Sequence, residues 1–148
     1  MYELFKKLEL SDFNDRFSNE EACLEALAAQ KWSDGFVCRK CGHGHYCQGR
    51  TPFSRRCTRC KQEESAKAHT VFHHCRIPLT QAFELAYRVC VDPKVSSYEL
   101  GRKLNLRQMT CWKFKKKITE CIENRENFSR IEAERLKELM SGWFDAFL

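Results

Sequence analysis

The chain of 148 residues contains only 6 Gly and 3 Pro, and its apolar residues form no long run. The scarcity of Gly and Pro excludes collagen-like and low-complexity classes of protein. Because no stretch approaches ~18 consecutive apolar residues, we predict no transmembrane helix and no membrane partner. The first residues lack the apolar region of a secretory signal, so we expect a cytoplasmic protein. Hydrophobic residues make up 43% of the chain, which argues against disorder throughout.

Positive charge is concentrated in the middle of the chain. The net charge is +6, yet residues 1–30 carry three basic and seven acidic side chains. Residues 31–61 carry eight basic side chains and one acidic one, and residues 62–120 are also basic. A basic region between acidic ends is typical of a nucleic-acid-binding surface. An ordinary solvated surface is the alternative interpretation of the charge alone.

Cysteine is abundant and unevenly distributed. Five of the 10 Cys lie within 23 residues, and the other five are scattered through segments with helical patterns. Without a secretory signal, a disulfide framework is not expected. The distribution instead predicts one metal site and several buried free thiols in a reducing compartment.

Two C-x2-C pairs carry the most specific motif. Cys38 and Cys41 are separated from Cys57 and Cys60 by the 15 residues 42–56, a spacing typical of structural zinc sites. Four thiolates fill the tetrahedral coordination of the ion and leave no position for a substrate. We therefore predict one structural Zn²⁺ per chain.

Other interpretations of these cysteines remain open at this point. Two redox-active dithiols or two disulfides would use the same residues, although a redox C-x-x-C normally occurs singly. His43, His45 and Cys47 lie between the pairs and are alternative ligands in principle. Residues 73–75 (His-His-Cys) have no matching partner pair, and we interpret them as a loop.

Helical patterns flank the cysteine-rich segment. Ser18 with Glu21 forms a capping box that predicts a helix over 18–30, and a short helix is expected within 2–9. Residues 36–72 alternate short β-prone pieces with Gly, Cys, His and Arg, which indicates short strands and tight turns. Gly42 follows the first Cys pair, where the turn needs a permissive residue.

Helical periodicity returns in the carboxy-terminal half. One helix is predicted from Pro78 to about Asp92, followed by helices over 96–104 and 107–120. A second capping box, Ser129 with Glu132, predicts a final helix to about Met140. The whole pattern predicts an α+β fold, a small zinc ribbon flanked by helices. The predicted segments are an amino-terminal helical segment over 1–35, the zinc ribbon over 36–77 and a helix-turn-helix region with a carboxy-terminal helix over 78–148.

Residues 97–116 have the features of a helix-turn-helix. Apolar positions form a seam on both helices, Gly101 is small where the helices would cross, and Asn105 readily adopts the positive φ of the turn. Residues 102–116 contain six Lys or Arg and no acidic residue, which favours DNA contact over a plain helical hairpin.

The second helix of this motif is predicted to enter the major groove. Gln108 and Lys113 are expected to contact base edges, whereas Lys115 and Lys117 are expected to reach phosphates. Trp112 is expected to pack in the core against the neighbouring helix, with one edge near the groove. The complete set of predicted contacts to double-stranded DNA is Arg55, Arg56, Arg102, Arg107, Gln108, Met109, Lys113, Lys115, Lys116 and Lys117.

The order of these motifs carries a family resemblance. Residues 32–43 read Trp-x-Asp-Gly-Phe-x-Cys-x-x-Cys-Gly-His, and 70–79 include Thr-x-Phe-His and Ile-Pro-Leu. With the helix-turn-helix pattern that follows, roughly residues 18–120 resemble the amino-terminal part of bacterial zinc-ribbon insertion-sequence transposases. The resemblance implies DNA binding in transposition, with a ribonuclease-H-like catalytic domain after this part.

The sequence departs from that family in two places. Asp145 does not match the spacing of the family's first catalytic motif, and no cluster of carboxylates suited to two-metal strand transfer is present. Residues 62–68 are polar where the family usually has an apolar strand, which weakens the prediction of a last strand in the ribbon.

We therefore expect a non-catalytic, zinc-dependent DNA-binding protein, a separated transposase part or a stand-alone derivative. A transcriptional regulator and a zinc-ribbon module that binds a protein partner are the alternatives. The apolar carboxy-terminal residues are expected to fold back onto the helices, with self-association or a protein partner as the alternative. These residues are Met140, Trp143, Phe144, Phe147 and Leu148.

Overall fold

A computed structural model describes residues 1–128, with side chains through residue 124. The described part contains helices and one small antiparallel sheet, which confirms the predicted α+β class. The helices are α1 Tyr2–Lys7, α2 Leu10–Arg16, α3 Glu20–Lys31, α4 Leu79–Val91, α5 Ser97–Leu104 and α6 Gln108–Phe128. The strands are β1 Tyr46–Gln48, β2 Arg55–Cys57 and β3 Glu63–Glu64.

The first two helices pack on α4 through aromatic rings. The ring of Phe5 is fully buried, and its centroid lies 5.6 Å from that of Phe13 and 5.9 Å from that of Phe83. The Tyr87 hydroxyl donates a 2.8 Å hydrogen bond to the carbonyl of Leu8. The amino-terminal segment thus shares a core with α4, while the predicted boundaries at 35/36 and 77/78 stay predictions.

The helix predicted over 18–30 is present as α3, but its cap differs from the expected one. The Asn19 side chain accepts a 2.8 Å hydrogen bond from the backbone N–H of Ala22, and the helix begins at Glu20. Asn and Ser satisfy a free helical N–H equally well, so the choice of Ser18 as cap was wrong by one residue. Helix α2 was missed, because no side chain caps its first turn.

The sheet has the order β1-β2-β3, and its third strand forms despite its polar sequence. The Glu63 carboxylate accepts hydrogen bonds from the Arg50 backbone N–H at 2.7 Å and the Ser54 hydroxyl at 3.0 Å. The N–H of Arg50 is the chief cause that lowers the pKa of Glu63. Glu63 therefore closes the turn between β1 and β2, whereas Glu64, the other residue of β3, is buried in an ion pair with Lys31.

Helices α5 and α6 form a tight helical hairpin, as the apolar pattern predicted. Ser96 caps α5, and Asn105 ends it in the left-handed region with φ 52° and ψ 46°. A Cβ atom on Gly101 would lie 2.8 Å from the carbonyl oxygen of Leu106, so only Gly allows this approach. Helix α6 continues past the predicted residue 120 to Phe128.

The inner face of α6 completes the core. Cys111, Phe114, Ile118 and Cys121 are buried at helical spacing and join the same hydrophobic cluster as α4. Among the described residues, no helix combines the length and apolarity that a membrane span needs. The predicted helix from Ser129 and the apolar residues from Met140 to Leu148 lie outside the described residues.

Candidate functional site: a four-cysteine metal centre and a basic helix

The four predicted ligands converge at one point of the ribbon. The Sγ atoms of Cys38, Cys41, Cys57 and Cys60 all lie within 4.8 Å of one another. The Sγ atoms of Cys38 and Cys60 are 3.5 Å apart, and those of Cys41 and Cys57 are 3.6 Å apart. Tetrahedral bonds of ~2.3 Å to Zn²⁺ place sulfur atoms roughly 3.8 Å apart, so the thiols fit the ion. This four-cysteine cluster is a structural zinc site.

Two equivalent turns present the thiols. The N–H of Cys38 donates to the carbonyl of His43, and the N–H of Gly42 donates back to the carbonyl of Cys38, at 2.9 and 2.8 Å. In the second turn, the N–H of Cys57 donates a 2.9 Å hydrogen bond to the carbonyl of Gln62, and the N–H of Lys61 donates a 3.1 Å hydrogen bond to the carbonyl of Cys57. The same two bonds thus shape both turns, each holding two cysteines on one side of the metal.

Both turns need a left-handed residue at the position after the second cysteine. Gly42 supplies it in the first turn with φ 71°, as predicted, and Lys61 supplies it in the second with φ 63°. A residue with a Cβ atom is strained in this region of φ/ψ space, and Lys offers no sequence signal for it. Sequence reasoning therefore missed the strain at Lys61.

The backbone prepares some of these thiols for ionisation. Burial opposes the charged form of Cys57, but the N–H groups of Cys60 and Arg59 lower its pKa to about 6. The N–H of His43 also lowers the pKa of the Cys41 thiol, but burial and the neighbouring thiols outweigh it and raise that pKa to about 11. A bound divalent cation supplies the positive charge that stabilises all four sulfur atoms as thiolates.

The alternative ligands stay outside the cluster. Cys47 is exposed, and its Sγ lies 3.6 Å from the carbonyl oxygen of Arg56. The Nε2 atom of His43 lies 3.1 Å from the Thr58 hydroxyl instead of facing the thiols. His73 and His74 lie in turns, as predicted, and belong to no metal-ligand cluster among residues 1–124.

The predicted free thiols are confirmed at the helices. Cys23 and Cys90 are fully buried, and burial is the chief cause that raises the pKa of each to about 12. Cys111 and Cys121 are also buried and unpaired with another cysteine. These thiols stay protonated near neutral pH and behave as small apolar groups.

Helix α3 is joined to the ribbon by a buried ion pair. The Lys31 ammonium lies 2.5 Å from the Glu64 carboxylate, and it also donates to the carbonyls of Ser65 and Ala68 at 3.0 and 2.6 Å. The Arg39 guanidinium lies 3.3 Å from the same carboxylate oxygen. Sequence patterns gave no indication of this cluster, because its members are distant along the chain.

Arg55, one of the predicted DNA contacts, lies between two aromatic rings. Its guanidinium carbon is 4.4 Å from the centroid of Trp32 and 4.1 Å from that of Tyr46. Both contacts are cation–π interactions, which hold the side chain along the ribbon. Arg56 is half-buried on the same strand, β2.

The first half of α6 presents a basic and apolar face to solvent. The side chains of Lys113 and Lys116 are exposed on α6, Arg107 is exposed directly before it, and Arg102 is exposed on α5. Met109 and Trp112 are 56% and 47% exposed. The expectation that Trp112 packs in the core was wrong, because the inward positions are filled by Cys111 and Phe114. The ammonium of Lys116 lies 5.7 Å from the Trp112 ring centroid.

Three other predicted contacts have partners within the protein. The Gln108 amide donates a 2.8 Å hydrogen bond to the hydroxyl of Ser97. The Lys115 ammonium donates at 2.7 Å to the carbonyl of Val95. Lys117 is half-buried on the side of α6 near Cys75, and burial lowers its pKa. The structure therefore separates these three from the exposed cations, and their DNA contacts stay predictions.

A comparison with known families agrees with the geometry of the ribbon. Residues 18–63, less than half of the chain, match the family described as the transposase zinc-ribbon domain. No curated protein and no solved structure matches the chain. The matched residues run from the α3 cap through the zinc ligands to β3, and this segment is a zinc ribbon of the transposase type.

Proposed function

We propose that the chain is a non-catalytic, zinc-dependent protein that binds double-stranded DNA. In this proposal α5 and α6 act as a helix-turn-helix, and the first half of α6 enters the major groove. The observation that carries the proposal is the exposed face of α6, where Lys113 and Lys116 extend into solvent on a hairpin packed into the core. Arg107, directly before α6, is also exposed.

The charge around this face supports a polyanionic partner. Residues 102–116 carry six basic and no acidic side chains, and the next acidic residue on α6 is Glu120. An ordinary solvated helix face mixes both signs, as the Glu84 to Arg88 pair on α4 does at 2.6 Å. Lys116 lies 3.9 Å from Glu120 in an exposed pair, whereas no acidic side chain accompanies Lys113 within residues 102–116. An excess of cations on one face attracts phosphates, which displace counterions when they bind.

The rigidity of the hairpin supports the same proposal. Gly101 allows the close approach of the two helices, and the bond from Gln108 to Ser97 joins their first turns. Lys115 fixes the segment before α5 through the carbonyl of Val95. A helix held in this way presents its outer side chains in one arrangement, which readout of base edges requires.

The zinc ribbon contributes a second basic surface. Arg59 and Lys61 are exposed around the second zinc turn, and Arg50 is exposed on the loop after β1. These side chains are suited to phosphates, which position a protein on DNA without reading sequence. Residues 18–63 match the transposase zinc-ribbon domain, and this match also supports association with nucleic acid.

Selection of duplexes from a random pool by the zinc-loaded full chain tests this proposal. We expect enrichment of a defined site, and weaker retention of the selected duplex by Lys113→Ala/Lys116→Ala than by the parent. Enriched sites beside the chain's own gene would favour a transcriptional regulator, whereas inverted element ends would favour transposition. Failure to retain any duplex, with a protein partner bound instead, would contradict DNA binding and favour the interaction module.

The non-catalytic part of the proposal has its own test. We expect no Mg²⁺-dependent nicking of supercoiled DNA by the purified chain, because two-metal strand transfer needs several convergent carboxylates. Nicking that co-purifies with the chain and is abolished by Asp145→Ala would contradict this expectation.

A further inference from the structure

We infer that Met109 and Trp112 recognise the C5-methyl group of thymine, so that the protein selects sites whose thymines contribute to binding. The inference rests on the proposed DNA binding of α6 and adds the base chemistry that this helix reads. It assigns specificity to two apolar side chains, where the sequence pattern had pointed to Gln108 and Lys113.

The position of these residues on α6 carries the first step. Residues 109, 112, 113 and 116 share one side of the helix at spacings of three and four. The opposite side is buried at Cys111, Phe114 and Ile118. Met109 and Trp112 therefore lie on the same outward face as Lys113 and Lys116, and any duplex bound by those cations faces both apolar side chains.

The second step concerns what this face lacks. The side chain suited to adenine here is Gln108, whose amide pairs bidentately with the N6 and N7 atoms. In the structure that amide is hydrogen-bonded to Ser97 at 2.8 Å and half-buried between the helices. The outward face is left with cationic groups, which suit guanine and phosphates, and with apolar groups.

The third step concerns the occupant of the apolar surface. About half of each of these two large side chains is exposed. Because they are three residues apart on one side of the helix, they form one apolar surface. The cations Lys113 and Lys116 lie on the same face, and Lys116 also forms an exposed pair with Glu120 at 3.9 Å. Lys113 and Lys116 make an anionic partner a better complement to the face than an apolar protein. Within the major groove the thymine methyl is the apolar group that base edges offer.

Replacement of thymine by deoxyuridine tests the assignment, since it removes the methyl group and keeps the pairing. With the selected duplex we expect at least one position where this replacement weakens binding by about four-fold, the effect of one buried methyl group. Met109→Ala or Trp112→Ala should bind the thymine and uracil duplexes equally at that position. Tyr98→Ala on α5, which removes another exposed aromatic ring, is the matched control and should keep the preference.

The outcomes separate the inference from the proposed function. Absence of any duplex binding would overturn both. Duplex binding that is equal for thymine and uracil at every position would overturn the inference and leave the DNA-binding proposal standing. A preference that persists in both alanine variants would assign it to other residues and so overturn the inference. A dimer that Met109→Ala converts to a monomer would show that a second copy covers this face, which would also overturn the inference.

Discussion

The Lys31 ammonium and the Glu64 carboxylate form a 2.5 Å ion pair whose side chains are only 2% and 10% exposed. The pair joins the last residue of α3 to the last strand of the ribbon. Because the two charges are taken out of water together, removal of one leaves the other uncompensated. The ribbon and the helical part are therefore coupled through a polar contact beside the zinc turns.

Glu64→Gln should lower the free energy of unfolding by about 3 kcal/mol, because it leaves the Lys31 charge buried beside Arg39. Urea unfolding of the zinc-saturated protein measures the loss. Glu99→Gln is the matched control, since Glu99 and Lys103 also lie 2.5 Å apart but are about half-exposed. That variant should lose less than about 1 kcal/mol. Equal losses in the two variants would contradict the importance of burial.

Lys61→Gly should stabilise the ribbon relative to Lys61→Ala by about 1 kcal/mol, the cost of a Cβ atom in the left-handed region. Both variants remove the hydrogen bond from the Lys61 ammonium to the carbonyl of Thr58, so their difference isolates that cost at φ 63°. Thermal or urea unfolding with zinc present gives the comparison. An alanine variant as stable as the glycine variant would show that this turn relaxes and carries no strain.

Cys57→Ser should abolish most zinc binding, because one of four thiolates is lost from a site that fits the ion. Elemental analysis of the purified proteins should give about one zinc for the parent and for Cys47→Ser, whose thiol lies outside the cluster. A ribbon this small obtains much of its folding free energy from the metal, so chelation should unfold it. Zinc retained by Cys57→Ser and lost by Cys47→Ser would reverse the ligand assignment.

Alkaline pH should destabilise the protein through its buried thiols. The ordinary pKa of 9.0 is raised to about 12 at Cys23 and Cys90, so the unfolded state releases these protons first. The free energy of unfolding is then unaffected below pH 9 and falls toward pH 12, by up to about 1.4 kcal/mol per pH unit for each thiol. The free energy of unfolding of the double variant Cys23→Ala/Cys90→Ala should decline less steeply between about pH 9 and 10.5 than that of the parent. The curve of Cys47→Ala should follow that of the parent. Parallel curves for all three proteins would rule out this source of alkaline instability.

Local patterns predicted most of what positions the site. The spacing of two C-x2-C pairs identified all four zinc ligands, and the apolar period identified α4, α5 and α6. Gly101 and Asn105 marked the crossing and the turn of the hairpin, because each position admits few residue types. In these cases the structural requirement is local, so it leaves a trace in neighbouring residues.

The features that sequence analysis missed depend on distant partners. The polar strand β3 forms because Glu63 contacts Arg50 and Ser54, and because Glu64 meets Lys31. The outward position of Trp112 depends on which neighbours fill the core, and the period of α6 permits either choice. Lys61 adopts a left-handed backbone because the zinc turn imposes it, and nothing in its residue type indicates this.

Salt dependence of binding tests the central claim, that the exposed face of α6 contacts duplex DNA. Affinity for the selected duplex should be measured from low to physiological salt for the parent, Lys113→Ala/Lys116→Ala and the control Lys7→Ala/Lys94→Ala, which removes two exposed cations outside α6. If both α6 lysines contact phosphates, the slope of log affinity against log salt should become shallower by about two units in the first variant. The control should keep the slope of the parent. A slope unchanged by the loss of Lys113 and Lys116, or reduced equally in the control, would contradict the account.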